Sequence, residues 1–309
     1  IRRQRQMCIR DRNVIEADGI TKIYGTNMAV NNVSLKVKQG EIYGFLGLNG
    51  AGKSTFINIL TGIIHPTSGS FALLGHSNLD KVKSRIGVLP EYSTFYDSLT
   101  AIGHLIYFSR LCGTAPTKTR CEHVLEQVGL LKAKDKKVKG FSFGMKKKLG
   151  VAQALIHNPE LIFFDEPTAG MDIESSRQIE KLIVDLHRQG KTIFTTSHNL
   201  SEVEKICTRI AIMQNGFLVD EGTIDDLRTR HTKTLRLRIR HASVPGDRLA
   251  PLFKQSGFSI KTKDNWSTLP IRSEADTPRI IRTFLDHNID LYEVNVDKPS
   301  LEEIFLGME

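Results

Sequence analysis

Eight consecutive residues, Gly47-Leu48-Asn49-Gly50-Ala51-Gly52-Lys53-Ser54, fit the pattern G-x-x-x-x-G-K-[ST]. They follow a short apolar run and open a stretch of helical pattern, the context a phosphate-binding loop needs. The glycines let backbone N–H groups turn inward around phosphate oxygens, and the following helix points its positive end at the same charge. Lys53 is expected to reach the β- and γ-phosphates of a nucleotide, Ser54 to ligate Mg2+, and Thr55 to add a phosphate contact. The plain alternative is a glycine-rich turn with a surface lysine; the flanking strand and helix argue against it. A second feature is Leu161-Ile162-Phe163-Phe164-Asp165-Glu166, a buried apolar strand ending in two carboxylates. Parallel sheets present their ligand sites at such strand ends. Asp165 can hold Mg2+ through water, and Glu166 can orient the attacking water. By itself an acidic pair after a strand reads as a helix cap or a solvated turn; beside a phosphate loop it reads as chemistry.

These residues need elements to position them. Ile42 to Leu46, Leu161 to Phe164, Ile193 to Thr195 and Ile210 to Met213 read as short buried strands. Ile179, Leu182, Ile183 and Leu186 fall at helical spacing before the stop signal Gly190. Ser201 and Glu204 suggest a capping box at the start of another helix, and Asn215-Gly216 signals a hairpin. Strand–helix alternation of this kind predicts an α/β fold with a mainly parallel sheet. An inserted helical subdomain is expected over about residues 92–156, with its helical pattern clearest from Thr100 to Ile156. The composition changes from His231. Leu235, Leu237 and Ile239 alternate with Arg236, Arg238 and Arg240, marking a strand with one basic face. A helix at Arg248 to Gln255, two short strands, a helix at Pro278 to Leu285, a strand at Leu291 to Val296 and a last helix from Leu301 complete a βαββαβ order. That order suggests a small ferredoxin-like α+β domain over residues 231–309, after a main domain over 13–230.

The loop and the acidic strand end establish only a P-loop nucleotidase. What surrounds them goes further. Phe141-Ser142-Phe143-Gly144-Met145 lies just before the acidic strand, and Ser197-His198 follows a further strand. This order resembles the ATP-binding cassette (ABC) ATPases of transporters, over Asn13 to about Arg230. In that family a signature sequence, commonly Leu-Ser-Gly-Gly-Gln, begins a helix facing the ATP held by a second subunit. Ser142 and Gly144 match it; Phe143 and Met145 do not. Taken alone, the segment is equally well an ordinary helix start. The resemblance implies further roles. Tyr24 stacks on adenine, His198 contacts the γ-phosphate, and Asp172, in Ala169-Gly170-Met171-Asp172, is the acidic residue of a loop crossing the dimer interface. Glu91 stands where many relatives have glutamine; its carboxylate keeps an oxygen for Mg2+ or water and adds charge. Pro299-Ser300-Leu301-Glu302-Glu303-Ile304-Phe305-Leu306 resembles the ending of accessory domains on the cassette subunits of bacterial exporters.

The resemblance therefore implies an Mg2+-dependent ATPase that works as a homodimer of cassettes with separate integral membrane permease subunits. Its place would be peripheral, on the cytoplasmic face of the cell membrane, coupling hydrolysis to export. Substrate and permease identity are not expected to be legible in this chain. The alternative is a soluble cassette ATPase acting on nucleic acid or ribosomes. Such relatives usually carry long coiled coils or tandem cassettes, whereas this chain has one phosphate loop and no sustained heptad, so no nucleic-acid partner is expected.

Composition agrees with this. Hydrophobic residues make up 40% and charged residues 25%, ordinary values for a globular chain. No apolar run approaches the roughly 18 residues that cross a bilayer. Cys8, Cys112, Cys121 and Cys207 form no C-x-x-C pair, which argues against a zinc site or disulfide framework. The net charge is +9, to which residues 1–12 contribute five arginines against one aspartate. That leader lacks the apolar core of a secretion signal. Its string RQRQMCIRDR resembles the translation of a transposon-end adaptor from sequencing libraries, so the native start is expected near Asn13. The lysines of Lys132 to Lys139 and Lys146 to Lys148 read as a solvated face. Attraction to an anionic membrane surface or to nucleotide is the alternative.

Overall fold

The computed structural model describes residues 12–231, 235–244, 246–255, 257–297 and 300–306. Most of the expected leader, residues 1–11, lies outside them; Arg12 is described, and its guanidinium donates to the Leu74 carbonyl. The chain divides into two units, Ile1–Thr223 and Ile224–Glu309.

In chain order the first unit contains β1 (Asn13–Tyr24), β2 (Asn27–Lys38), β3 (Ile42–Leu46), α1 (Lys53–Leu60), β4 (Ser68–Leu73) and β5 (Ile86–Leu89). There follow α2 (Ala101–Leu111), α3 (Lys118–Gln127) and α4 (Phe143–Leu155), which make the helical insert. The chain then returns through β6 (Leu161–Asp165), α5 (Ile173–Arg188), β7 (Thr192–Ser197), α6 (Leu200–Ile206), β8 (Arg209–Gln214) and β9 (Phe217–Gly222). The main sheet has the order β5-β6-β7-β3-β8-β9 and is parallel except for the β8–β9 hairpin at Asn215-Gly216. β3, β6 and β7 are buried along their whole length, as their unbroken apolar runs require when both faces are covered. Rings from three strands and α1 meet beneath the phosphate loop. Phe45 and Phe56 lie 5.1 Å apart, Phe45 and Phe194 5.5 Å, and Phe163 and Phe194 5.7 Å. Each such ring buries about 150–250 Å², so the start of α1 is fixed relative to the strand ends. A second, antiparallel sheet, β2-β1-β4, joins the same core through Val14, Ile15, Val33, Leu35 and Val37. Its strands are not among the short buried runs expected from the sequence.

Two local expectations are corrected. α6 is capped by Asn199, whose side-chain oxygen accepts from Ser201 N at 3.1 Å and Glu202 N at 3.4 Å. Ser201 thus sits inside the first turn and not at the cap expected of it with Glu204, because Asn199 is the residue with the extended backbone of the cap. The run Lys146 to Lys148 is not a uniformly solvated face. Lys147 and Lys148 are buried, with Lys147 Nζ on the Glu91 carbonyl at 3.0 Å and Lys148 Nζ on Gln178 Oε1 at 2.8 Å. A helix turns each successive side chain by about 100°, so α4 cannot present three consecutive residues to water alike.

The second unit holds α7 (Ile224–His231), β10 (Leu235–His241), α8 (Gly246–Gln255), β11 (Lys261–Lys263), β12 (Trp266–Ile271), α9 (Thr277–Asp286), β13 (Leu291–Asp297) and α10 (Leu301–Leu306). Its sheet is antiparallel in the order β11-β12-β10-β13, a split βαββαβ arrangement. Leu237 and Ile239 point into a core with Leu249, Phe253, Leu269 and Phe284, while Arg236, Arg238 and Arg240 are exposed. α7 packs on α10 within this unit, and the division into units falls between Thr223 and Ile224.

Candidate functional site

The loop after β3 takes its shape from glycine. Gly52 has φ 105° and caps α1 with its carbonyl accepting from Phe56 N at 2.9 Å. A Cβ there would collide with the Ala29 carbonyl oxygen and come within 2.7 Å of Met213 Cε. Left-handed backbone and absent space both demand glycine. Ala51 turns its methyl into the core, and Leu48 and Asn49 form the exposed outer arc. Lys53 is 6% exposed. Its Nζ donates to the Gly47 carbonyl at 2.7 Å and the Leu48 carbonyl at 3.1 Å, and lies 4.0 Å from Glu166 Oε1. Burial pulls its ammonium below the usual lysine range, against the attraction of Glu166, Asp165 and Glu91.

The acidic side of the site comes from the ends of β5, β6 and β7. Asp165 Oδ1 accepts the Thr196 hydroxyl at 2.6 Å and stands 3.3 Å from Ser54 Oγ. Glu91 Oε2 stands 3.4 Å from the same hydroxyl. Burial pushes the Asp165 carboxyl up, opposed by hydrogen bonds from Thr196 and Ser54 and reinforced by Glu91 and Glu166. Glu166 has φ 50°, unusual for a residue with a side chain. Its amide is held by Thr196 Oγ1 at 2.9 Å, and its Oε2 accepts from His198 Nδ1 at 2.9 Å. Strained backbone of this kind costs about 1–3 kcal/mol and is kept where the surroundings over-determine it.

Among the described residues no three His, Cys, Asp or Glu side chains form a metal cage. The three oxygens that do meet, Ser54 Oγ, Asp165 Oδ1 and Glu91 Oε2, suit Mg2+, which keeps waters and nucleotide oxygens and takes only one or two carboxylates. The cleft above them encloses about 760 Å³. Tyr24, Asn49, Gly50, Lys53, Thr55 and His198 are among the residues that line it. Tyr24 is 48% exposed, with Lys22 Nζ 5.1 Å from the ring centre.

Three expected residues gather elsewhere. Ser142 caps α4, its Oγ accepting from Met145 N at 3.3 Å. Asp172 caps α5, and the Ser175 backbone N–H holds its carboxyl below the usual carboxylate range. A Cβ on Gly144 would lie 4.0 Å from Asp172 Oδ2. Ser142, Gly144 and Asp172 thus cluster at two exposed helix starts and do not line the cleft of their own chain. Thr196 and Lys147 were missed. A second threonine at the end of a buried strand, in Thr195-Thr196, was the available signal for the first. For Lys147 the lysine run masked it.

A glycine loop at a helix start, an acidic strand end and a histidine-held glutamate, all at the carboxyl edge of a parallel sheet, define a P-loop nucleoside triphosphatase. The comparisons narrow this. The profile of the family described as ABC transporter matches residues 30–169, and that of the ATP-binding protein DrrA1-3-like C-terminal domain matches residues 222–308. The bacitracin transport ATP-binding protein BcrA of Bacillus licheniformis is 35% identical over 96% of this chain and 97% of its own length. The linearmycin resistance ATP-binding protein LnrL of Bacillus subtilis is 32% identical over 96% and 98%. For the daunorubicin/doxorubicin resistance ATP-binding protein DrrA of Streptomyces peucetius the figures are 31%, 95% and 92%. A solved ATP-binding subunit of an ABC transporter superposes with a TM-score of 0.63 at 27% identity, covering 70% of this chain and 92% of that one. A dimeric ATP-binding cassette bound to ADP and Pi shares the fold, with a TM-score of 0.62 at 24% identity over 68% and 98%. The chain belongs to the ATP-binding subunits of ABC transporters and is an ATPase. No helix among the described residues is long and apolar enough to cross a membrane.

Proposed function

We propose that this subunit drives export through separate membrane permease chains, working as a homodimer on the cytoplasmic face of the membrane. The names of its relatives, which speak of bacitracin transport and of resistance to linearmycin and to daunorubicin and doxorubicin, support the direction. The observation that carries the reading is the convergence of Lys53 Nζ, 4.0 Å from Glu166, and Ser54 Oγ, 3.3 Å from Asp165, in one cleft.

In this reading the backbone N–H groups of Gly47 to Ser54 and the positive end of α1 receive the phosphates, with Lys53 neutralising the β- and γ-oxygens. The Lys53 ammonium already sits on the Gly47 and Leu48 carbonyls, so the loop presents it pre-placed. Tyr24 offers an exposed ring face to adenine. Ser54, Asp165 and Glu91 would hold Mg2+, which when bound neutralises charge on the phosphates. Glu166, oriented by His198 and by the Thr196 clasp on its amide, takes the proton of the attacking water. Ser142 and Gly144, at the positive end of α4, complete the site of the opposite copy, and Asp172 lies on the loop between the two sites. Closure excludes bulk water; hydrolysis restores charge repulsion and opens the dimer.

Glu166→Gln tests this. The amide keeps shape and an acceptor but cannot take a proton. Turnover should fall by about 100-fold or more, and the variant should run as a dimer on size exclusion with ATP and Mg2+. Adding Ser142→Arg should abolish that dimer. Normal turnover by Glu166→Gln would remove Glu166 from the chemistry.

A further inference from the structure

Lys147 lies on α4 and is 7% exposed, although lysine is among the residue types least often buried. Its Nζ donates to the main-chain carbonyl of Glu91 at 3.0 Å. The same segment turns its Glu91 carboxylate to Ser54, with Oε2 3.4 Å from the hydroxyl. The negative charges of Asp165, Glu91 and Glu166 act on two buried ammonium groups, of which Lys53 lies 4.0 Å from Glu166 and Lys147 is held by the Glu91 main chain. Lys53 comes from the phosphate loop and Lys147 from the helical insert. A buried charge is tolerated when opposite charge and hydrogen bonds meet it, and both conditions hold at Lys147. Burial pulls its ammonium down while Asp165, Glu91 and Glu166 hold it up. A neutral donor could serve the Glu91 carbonyl as well. What lysine adds is positive charge on the main chain of the residue that carries a carboxylate at a position where an amide would suffice to reach metal or water.

We propose that Lys147 is a positioning residue of the hydrolytic site: from α4 it holds the Glu91 segment against Ser54 and supplies the charge that allows a glutamate to stand there. Because α4 begins at Ser142 and Gly144, one rigid helix then carries both the tether to its own chain's nucleotide site and the residues offered to the second cassette. A change of charge around Glu91 pulls on the same helix that completes the opposite site. This inference rests on the assignment of Glu91, Asp165 and Ser54 to the nucleotide and its metal.

The test uses the full chain as wild type, Lys147→Gln, Lys147→Arg, Glu91→Gln and the double variant Lys147→Gln/Glu91→Gln. Steady-state ATPase at saturating Mg2+ separates KM from kcat. The same substitutions in a Glu166→Gln background report, by size exclusion, the ATP concentration that assembles the dimer, and urea unfolding without nucleotide reports stability. Lys147→Gln should raise KM, and the ATP needed for dimerisation, by about tenfold, within the range of coupling between contacting charged groups. Adding Glu91→Gln should bring both back to within about threefold of wild type, because the excess negative charge is then gone. Lys147→Arg, which keeps the charge, should stay within about threefold. A purely packing role would instead lower the urea midpoint, spare KM, and leave the double variant no better than the single; that result, or an arginine variant as impaired as the glutamine one, overturns the proposal. Should Lys147→Gln fail to fold, the arginine variant and Glu91→Gln still decide the matter. Glu91→Gln alone should leave Lys147 over-compensating and change KM in the direction opposite to Lys147→Gln, and a change in the same direction also overturns it. Full turnover in Lys53→Ala would instead sink the assignment of the nucleotide site itself.

Discussion

His198 Nδ1 stands 2.9 Å from Glu166 Oε2, and because an ionised carboxylate can only accept, the imidazole is the donor. The Glu166 side chain is nearly enclosed, whereas that of His198 is 54% exposed. The histidine therefore acts as a bracket reaching in from the rim of the cleft. His198→Ala should lower kcat by roughly 100-fold, the scale of a misplaced reacting group, with little change in KM. His198→Gln, whose amide can donate to the same oxygen, should recover part of the loss. Steady-state kinetics of the two variants decide this; equal damage in both would mean the ring itself does the chemistry.

Thr196 serves two carboxylate residues at once. Its hydroxyl donates to Asp165 Oδ1 at 2.6 Å and accepts the Glu166 amide at 2.9 Å. Thr196→Val keeps the shape and leaves a buried carboxylate oxygen and a buried N–H without that partner. Such losses cost about 1–3 kcal/mol each, so the urea midpoint should drop and turnover with it. Thr196→Ser keeps the hydroxyl and should restore both. A valine variant of wild-type stability would show that other groups satisfy these atoms.

Much of this was legible in the sequence because its spacing is tied to chemistry. Gly47 to Ser54 must follow a strand and open a helix to bind phosphate at all, and β3 and α1 do flank it. The strands β3, β6 and β7 announced themselves as unbroken apolar runs because both of their faces are covered. β1 was illegible for the opposite reason. It pairs with β2 through several register shifts, so its buried residues Val14, Ile15, Ala17 and Ile20 keep no period of two. Lys147 was hidden by its neighbours: a three-lysine run reads as solvent-facing until the helix phase is known. Asn199 was passed over because Ser201 and Glu204 matched a cap pattern two residues later, and a pattern match does not say which residue has the extended backbone of the cap.

Two glycines of one loop should respond differently to alanine. At Gly52 both the φ of 105° and the Ala29 carbonyl exclude a methyl group. At Gly50 the φ of 83° is also left-handed, but nothing lies within 4 Å of the added carbon. Gly50→Ala should therefore cost about the backbone strain alone, on the order of 1–2 kcal/mol. Gly52→Ala should cost more and should also lose ATP binding, since the loop must shift to relieve the clash. Urea unfolding and nucleotide titration of the two variants provide the comparison, and equal losses would mean that space around Gly52 is not limiting.

The place to cut the chain follows from the two cores. Val14, Phe45, Phe56, Phe163 and Phe194 belong to one buried cluster, and Leu237, Phe253, Leu269 and Phe284 to another with no residue in common. Every residue assigned to the nucleotide lies before Thr223. A chain ending at Thr223 keeps β9 and its pairing with β8. It should fold and bind ATP, with a stabilisation near 2.7 kcal/mol at a ligand concentration of about 100 Kd. A chain ending at Arg230 is the harder case. It retains all of α7 but its last residue, removes α10, the helix packed on it, and should expose Leu227, which is wholly buried in the full chain. That longer fragment should be the less soluble of the two, a result opposite to what length alone suggests. Size exclusion of both fragments, followed by thermal unfolding with and without ATP, reads out each step. If the Arg230 fragment is monodisperse and the Thr223 fragment aggregates, α7 belongs with the first unit and the division between Thr223 and Ile224 is misplaced.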